Sequence, residues 1–174
     1  MVANTRTERP SLSVTEWVVL GLLAEQPRHG FAIAKELVGG SDLGQIIAVH
    51  RPVVYRALAR LVTAGWAEVG ETERGEAGPN RTVNQATAAG ISSLDTWLDQ
   101  PVEHVRDLRI EFLVKIRLNQ RRSRSTQALI ATQQTVFAPM LEGIAASSDD
   151  HIADRWRRHN ARAAQTFLDE LSGT

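Results

Sequence analysis

The segment from His50 to Gly65 constrains the fold more than any other part of the chain. Pro52 suits the first turn of a helix, where its missing N–H is no loss, and Gly65 stands where a helix stops in a left-handed turn. Val54, Leu58 and Leu61 recur at i, i+4, i+7, so they stack on one side and give this helix a core face. Pro52, Arg56, Ala59, Arg60 and Thr63 fall on the opposite side. No Asp or Glu occurs between Asp42 and Glu68, whereas Arg51, Arg56 and Arg60 all lie in that window. A short cationic face without carboxylates suits the groove of a polyanion. It equally suits a solvated amphipathic helix, and the neighbouring segments have to decide.

Upstream, Ser13-Val14-Thr15-Glu16 reads as a capping box, with Leu12 and Trp17 at the two ends of a hydrophobic staple. A first helix starts there and runs through the apolar stretch Val18 to Leu23. Gln26-Pro27-Arg28-His29-Gly30 breaks it. The spacing of Ile33 and Leu37 predicts a second helix from Phe31 to Val38, ended by Gly39-Gly40. Two short helices, a turn and a basic-faced helix follow the order of a helix-turn-helix.

Downstream, Trp66 to Glu71 and Arg81 to Ala86 carry strand-like alternation, and the Gly/Pro/Asn-rich residues 72–80 between them predict a β-hairpin. A helix-turn-helix followed at once by a hairpin is a winged helix. Arg74 stands at the wing tip and Arg81 at its base, where both suit phosphate contact. A plain surface hairpin, with Glu73 and Glu76 neutralising Arg74, is the other reading.

Thr87 caps a further predicted helix with the stripe Ile91, Leu94, Trp97 and Leu98. Three more helical patterns follow Asp99-Gln100-Pro101. The first carries Val105, Leu108, Phe112, Leu113 and Ile116, and ends in Arg121-Arg122-Ser123-Arg124, a run suited either to DNA or to the negative end of its own helix. The second carries Leu129, Gln133, Val136, Phe137, Met140, Leu141 and Ile144, with a kink expected at Pro139. The third, capped by Asp149 or Asp150, carries Ile152, Trp156, Ala163, Phe167 and Leu171. Stripes this apolar need a partner surface: the three helices could dock on the preceding domain, but long amphipathic helices of this kind more often pair with a second subunit. The expected architecture is therefore mainly α (α+β): a winged helix-turn-helix over 11–98, a hinge over 99–105 and a C-terminal helical dimerisation region over 106–172.

Composition bears on what the chain is not. There is no cysteine, hence no disulfide or thiol nucleophile, and no apolar run long enough for a membrane span. The polar N-terminus has no secretory core, so a cytoplasmic location is expected. His29, His50, His104, His151 and His159 show no metal-ligand spacing, and neither a nucleophile elbow nor a P-loop occurs. No catalytic residue, metal or cofactor is expected. His29 reads as a hydrogen-bonding residue of its turn. Twenty basic and twenty acidic residues cancel, which leaves a winged helix used for protein–protein contact as the alternative to DNA binding. Trp97, Phe112, Phe137 and Trp156 are the candidates for an apolar effector pocket between the C-terminal helices.

The order of these motifs resembles the PadR family of winged-helix transcriptional regulators. The resemblance rests on His29-Gly30-Phe31, on Val54-Tyr55-Arg56-Ala57-Leu58 with Arg60-Leu61 and Gly65, and on Thr87-Ala88-Ala89-Gly90 before Leu94, Trp97 and Leu98. Arg106, Arg109, Phe112-Leu113, Lys115 and Leu118 resemble the start of the family's C-terminal region. Phe31 and Asn84 stand where many members have tyrosine. The resemblance implies a homodimeric repressor of double-stranded DNA, released in some members by small aromatic compounds, with Tyr55 against the DNA backbone. Arg51, Pro52, Val53, Tyr55, Arg56, Arg60, Thr63, Arg74 and Arg81 are then the expected DNA-binding residues.

Overall fold

In the computed structural model, which describes residues 12–73, 81–146 and 151–173, the capping box forms as expected. Ser13 Oγ accepts from the N–H of Glu16, and the Glu16 carboxylate accepts from the N–H of Ser13 at 2.6 Å. Helix α1 (Val14–Glu25) starts here. Val18, Val19, Leu20 and Leu22 have no exposed surface, so α1 is apolar nearly all round and becomes the central post of the N-terminal half. Leu12 and Trp17 close its first turn against the same core.

Strand β1 (Arg28–His29) and helix α2 (Gly30–Glu36) follow, then α3 (Arg51–Thr63), the helix read from Pro52 and Gly65. Gly65 takes the left-handed conformation, φ +73°, that lets the chain reverse into β2 (Ala67–Glu73). Strand β3 (Arg81–Ala86) pairs antiparallel with β2, Ala67 opposite Ala86 and Glu73 opposite Arg81. On its other edge β3 pairs with β1, Arg28 opposite Asn84. The sheet order β1-β3-β2 was not predicted, because two residues carry no periodicity. The wing tip, with Arg74, lies outside the described residues, as does the Arg81 side chain. Helix α4 (Ala88–Asp99) is capped by Thr87, whose hydroxyl accepts from the N–H of Gly90 and donates to Gly65 O at 2.8 Å.

The single helix expected from Val105 is two elements: a 3-10 helix (Val105–Arg109) and α5 (Glu111–Arg121), joined at Ile110. Two longer helices complete the chain, α6 (Gln127–Ala146), with Pro139 inside it, and α7 (Ile152–Ser172). His151 caps α7, its Nδ1 accepting from the N–H of Ala153 at 3.2 Å. Asp149 and Asp150, the expected caps, lie outside the described residues.

Two apolar cores result. Val54, Leu58, Leu61, Leu94 and Trp97 join α1 in the first, and Phe112, Ile116, Phe137, Leu141 and Leu168 form the second. Helix α5 serves both, since Val114 and Leu118 face the first core. Leu118 rests on Gly21, where a Cβ would come within 2.7 Å of its Cδ1, so the glycine sets how closely α1 and α5 approach. Residues 99–105, expected as a hinge, are held on both sides. Buried Gln133 accepts from Val102 N–H at 2.7 Å and donates to Val102 O at 3.0 Å, and Lys115 Nζ donates to Gln100 O at 2.9 Å.

Candidate nucleic-acid interface

Helix α3 divides as its sequence demands. Val54, Ala57, Leu58 and Leu61 are buried, while Arg51, Pro52, Tyr55, Arg56, Ala59, Arg60 and Thr63 are exposed. Val53 is half-buried and packs on the first core, so it contributes less to the outer face than expected. Thr63 Oγ1 donates to Ala59 O at 2.9 Å, so its hydroxyl proton is engaged by the helix.

The side chains of this face are braced by α1 and α2. The Tyr55 ring lies across Gly30, where a Cβ would meet Cε1 at 2.7 Å. Only glycine lets the phenol sit that close to the start of α2. His29 caps α2 with Nδ1 accepting from the N–H of Ala32 at 3.0 Å. This is the turn-forming role read from the sequence. The Arg51 guanidinium stands 4.6 Å from the centre of the Phe31 ring, a cation–π contact that aims it along the helix start. Lys35, which the sequence did not single out, is exposed beside them. It shares with Phe31, Val38, Val49, His50 and Arg51 a hollow of about 250 Å³ that no carboxylate lines.

One carboxylate does reach the face. Glu16, 6% exposed, gives one oxygen to the capping box and the other to Arg60 Nη1 at 3.1 Å. The face is therefore not free of acid, as the local sequence implied. A residue far away in the chain is brought to it by the packing of α1 on α3. Arg60 still has about half its side chain in solvent, so the pair anchors its base and leaves it exposed.

The run Arg121-Arg122-Ser123-Arg124 closes the last turn of α5 as expected, but its arginines are paired within the protein instead of solvated. Arg121 binds Glu25, Glu36 and Asp42; Arg122 binds Asp95; Arg124 binds Asp95 and Asp99. These arginines tie the end of α5 to the N-terminal half. The neighbouring guanidiniums of Arg117 and Arg121 hold the Asp42 carboxyl below its ordinary pKa, with desolvation opposing them.

The aromatic residues expected to line an effector pocket do not gather at one pocket. Trp97 is buried in the first core, stacked on Trp17 at 5.0 Å with Lys115 Nζ 4.7 Å from its ring centre. Burial lowers the Lys115 pKa, against the opposing pull of Glu111 at 2.9 Å. Phe112 and Phe137 are closed inside the second core. Aromatics at helical spacing pointed inward, as core residues do. Trp156 and Ile152 behave otherwise, 68% and 72% exposed, because the buried side of α7 is Ala161, Ala164 and Leu168. Trp156 borders a cleft of about 480 Å³ with Val105, Arg106, Arg109 and Arg157. Among the described residues no helix is long and apolar enough to cross a membrane.

Residues 19–96 match the model of the transcriptional regulator PadR-like family, so the resemblance read from the sequence holds across the winged helix. No curated protein matches the chain. Among solved structures, Bacillus subtilis PadR in complex with operator DNA is 20% identical, with 92% of this chain and 94% of that chain covered at a TM-score of 0.48. PadR of the same organism in complex with p-coumaric acid is 18% identical, with coverage of 91% and 93% and a TM-score of 0.42. A PadR-like transcription factor from Bacteroides fragilis is 23% identical, covering 47% of this chain and 73% of its own at a TM-score of 0.39.

Proposed function

We propose that this chain is a DNA-binding transcriptional repressor that acts in the cytoplasm as a homodimer, placing α3 of each subunit in successive major grooves of a pseudopalindromic operator. The observation that carries the reading is the outer face of α3. Arg51, Tyr55, Arg56 and Arg60 stand exposed on a helix-turn-helix, each of three braced by a named neighbour, within a segment that matches a family of transcriptional regulators. Arginine forks of this kind read guanine edges or hold phosphates. In this reading residues 11–98 bind DNA, 99–105 connect, and 106–172 make the dimer. Ile152 and Trp156 support the last point, since large apolar side chains this exposed on one long helix call for a covering surface. The Trp156 cleft, with three arginines around an indole, suits a small aromatic anion as effector better than the buried Trp97, Phe112 or Phe137.

The test is enrichment of duplexes from a random library, followed by titration of the enriched duplex against salt. A DNA-binding protein enriches a two-fold sequence, and its affinity falls steeply with salt as counterions are released. Arg56→Ala should weaken binding by about 1–3 kcal/mol if it reads a base, or lower the salt slope by about one if it contacts phosphate. Paired Ile152→Asp and Trp156→Ser changes should yield a monomer in sedimentation equilibrium. The competing reading, a winged helix for protein contact, draws on the Glu16–Arg60 pair and the zero net charge. Failure to enrich any duplex would favour it.

A further inference from the structure

We propose that Arg121, at the end of α5, is a positioning residue for the recognition helix, holding α2 and the loop that leads into α3 in the pose that DNA reading requires. The proposal rests on α3 being the DNA-reading helix. Arg121 gathers carboxylates from three places at once. Its Nε and Nη2 donate to the two oxygens of Glu25 on α1 at 2.6 and 2.8 Å, and its Nη1 donates to Glu36 on α2 at 3.2 Å and to Asp42 in the following loop at 3.1 Å. Arg28 closes the ring from the other side, on Glu25 at 2.6 Å and Glu36 at 3.3 Å. Arg117, one turn earlier on α5, grips Asp42 through Nε at 2.7 and 2.9 Å.

The chemistry requires arginine at the hub. A planar fork with five donors can pair side-on with one carboxylate and still reach two more, whereas an ammonium offers no such plane. The Arg121 side chain is only 18% exposed and its acids are 12%, 33% and 37% exposed, so these pairs are screened less than surface pairs. Its charge is engaged within the protein, which removes it from the set of phosphate contacts.

The hub acts on the short segment that leads into the recognition helix. Helix α2 has only two turns, ending at Glu36, and residues 37–46 form turns and bends before the irregular stretch 47–50 leads into α3. Asp42 adjoins buried Leu43, and Val49 N–H donates to Leu37 O at 2.9 Å immediately before α3. The placement of Asp42 and Glu36 therefore sets where α3 starts. Since α5 also carries Phe112 and Ile116 into the second core, movement of the C-terminal helices reaches α3 through this contact. Arg122 and Arg124 leave the same helix end but bind Asp95 and Asp99 on α4, which makes Arg124 an internal control.

The experiment compares full-length Arg121→Met, Arg121→Lys and Arg124→Met with wild type. Amide hydrogen exchange is followed without DNA at Gln45, Ile46, Ile47 and Val49, all hydrogen-bonded in this loop. Binding is measured on the duplex enriched by the wild type and on a shuffled duplex of equal composition. Arg121→Met should speed exchange at these amides by about tenfold or more, because local opening sets their protection. It should weaken the enriched duplex by about tenfold and the shuffled duplex by less than about twofold, since nonspecific binding follows phosphate charge. Arg121→Lys should move both readouts the same way and serves if the methionine variant fails to fold. Arg124→Met should move neither. Unchanged exchange would overturn the proposal, and so would equal losses on both duplexes, which would make Arg121 a phosphate contact. A wild type that enriches no duplex would sink the DNA reading, while the exchange result would still judge what Arg121 holds in place.

Discussion

Replacing Gly30 by alanine tests how the recognition face is built. The new Cβ would lie 2.7 Å from Tyr55 Cε1, 3.0 Å from Cζ and 3.1 Å from Leu58 Cδ1. A methyl forced into a closed core costs about 1–3 kcal/mol, and alanine returns up to about 1 kcal/mol over glycine in a helix. Tyr55 is 48% exposed, so its ring has solvent to swing into, whereas Leu58 has little room. The net cost to the fold should therefore be about 1 kcal/mol, a fall of roughly 2–4 °C in melting temperature for a chain of this size. DNA binding should suffer comparably through the displaced phenol, by about 1 kcal/mol, the worth of one hydrogen bond. Calorimetry and fluorescence anisotropy on Gly30→Ala, Tyr55→Ala and the double variant measure both effects. Once Tyr55 is alanine the methyl has no ring to displace, so Gly30→Ala should cost DNA binding nothing further, and the cycle should show a coupling near the full single-variant effect. An equal loss in both backgrounds would refute the idea that Gly30 acts through Tyr55.

Three further outcomes follow from particular contacts. Arg60→Ala should weaken DNA binding and also leave buried Glu16 without its cation; Glu16→Gln, which keeps a capping acceptor, should remove the ion pair with Arg60 and alter salt dependence with little loss of stability, as read by anisotropy and urea melts. The Lys115 pKa is lowered from 10.5 by burial, so the unfolded chain binds the proton more readily just below that pH. Stability should therefore rise with pH through the window beneath 10.5, and urea titrations of Lys115→Met should show that rise lost. A fragment ending at Pro101 lacks Val114 and Leu118, both fully buried in the first core and each worth about 1.5–3 kcal/mol. It should be unfolded or much weakened by circular dichroism, whereas a fragment ending at Arg124 should melt cooperatively.

Elements whose causes are local can be read from the residues alone. The capping box at Ser13, Pro52 and Gly65 around α3, the alternation in β2 and β3 and the Thr87 cap all act within a few residues, so their geometry is legible without neighbours. The same is true of the face of α3, because helical period alone puts Arg56 and Arg60 opposite Val54 and Leu58. Tertiary packing decided everything that depends on what an element meets. Strand β1 exists because β3 offers a free edge. Trp97, Phe112 and Phe137 are core, and Trp156 is exposed, because the helices settled with particular faces together. Glu16 reaches Arg60 across two helices, and Arg121 collects Glu25, Glu36 and Asp42 from positions far apart in the chain. Charge partners at such separations leave no periodic trace, since a guanidinium needs only a carboxylate within about 4 Å and is indifferent to where in the chain it comes from.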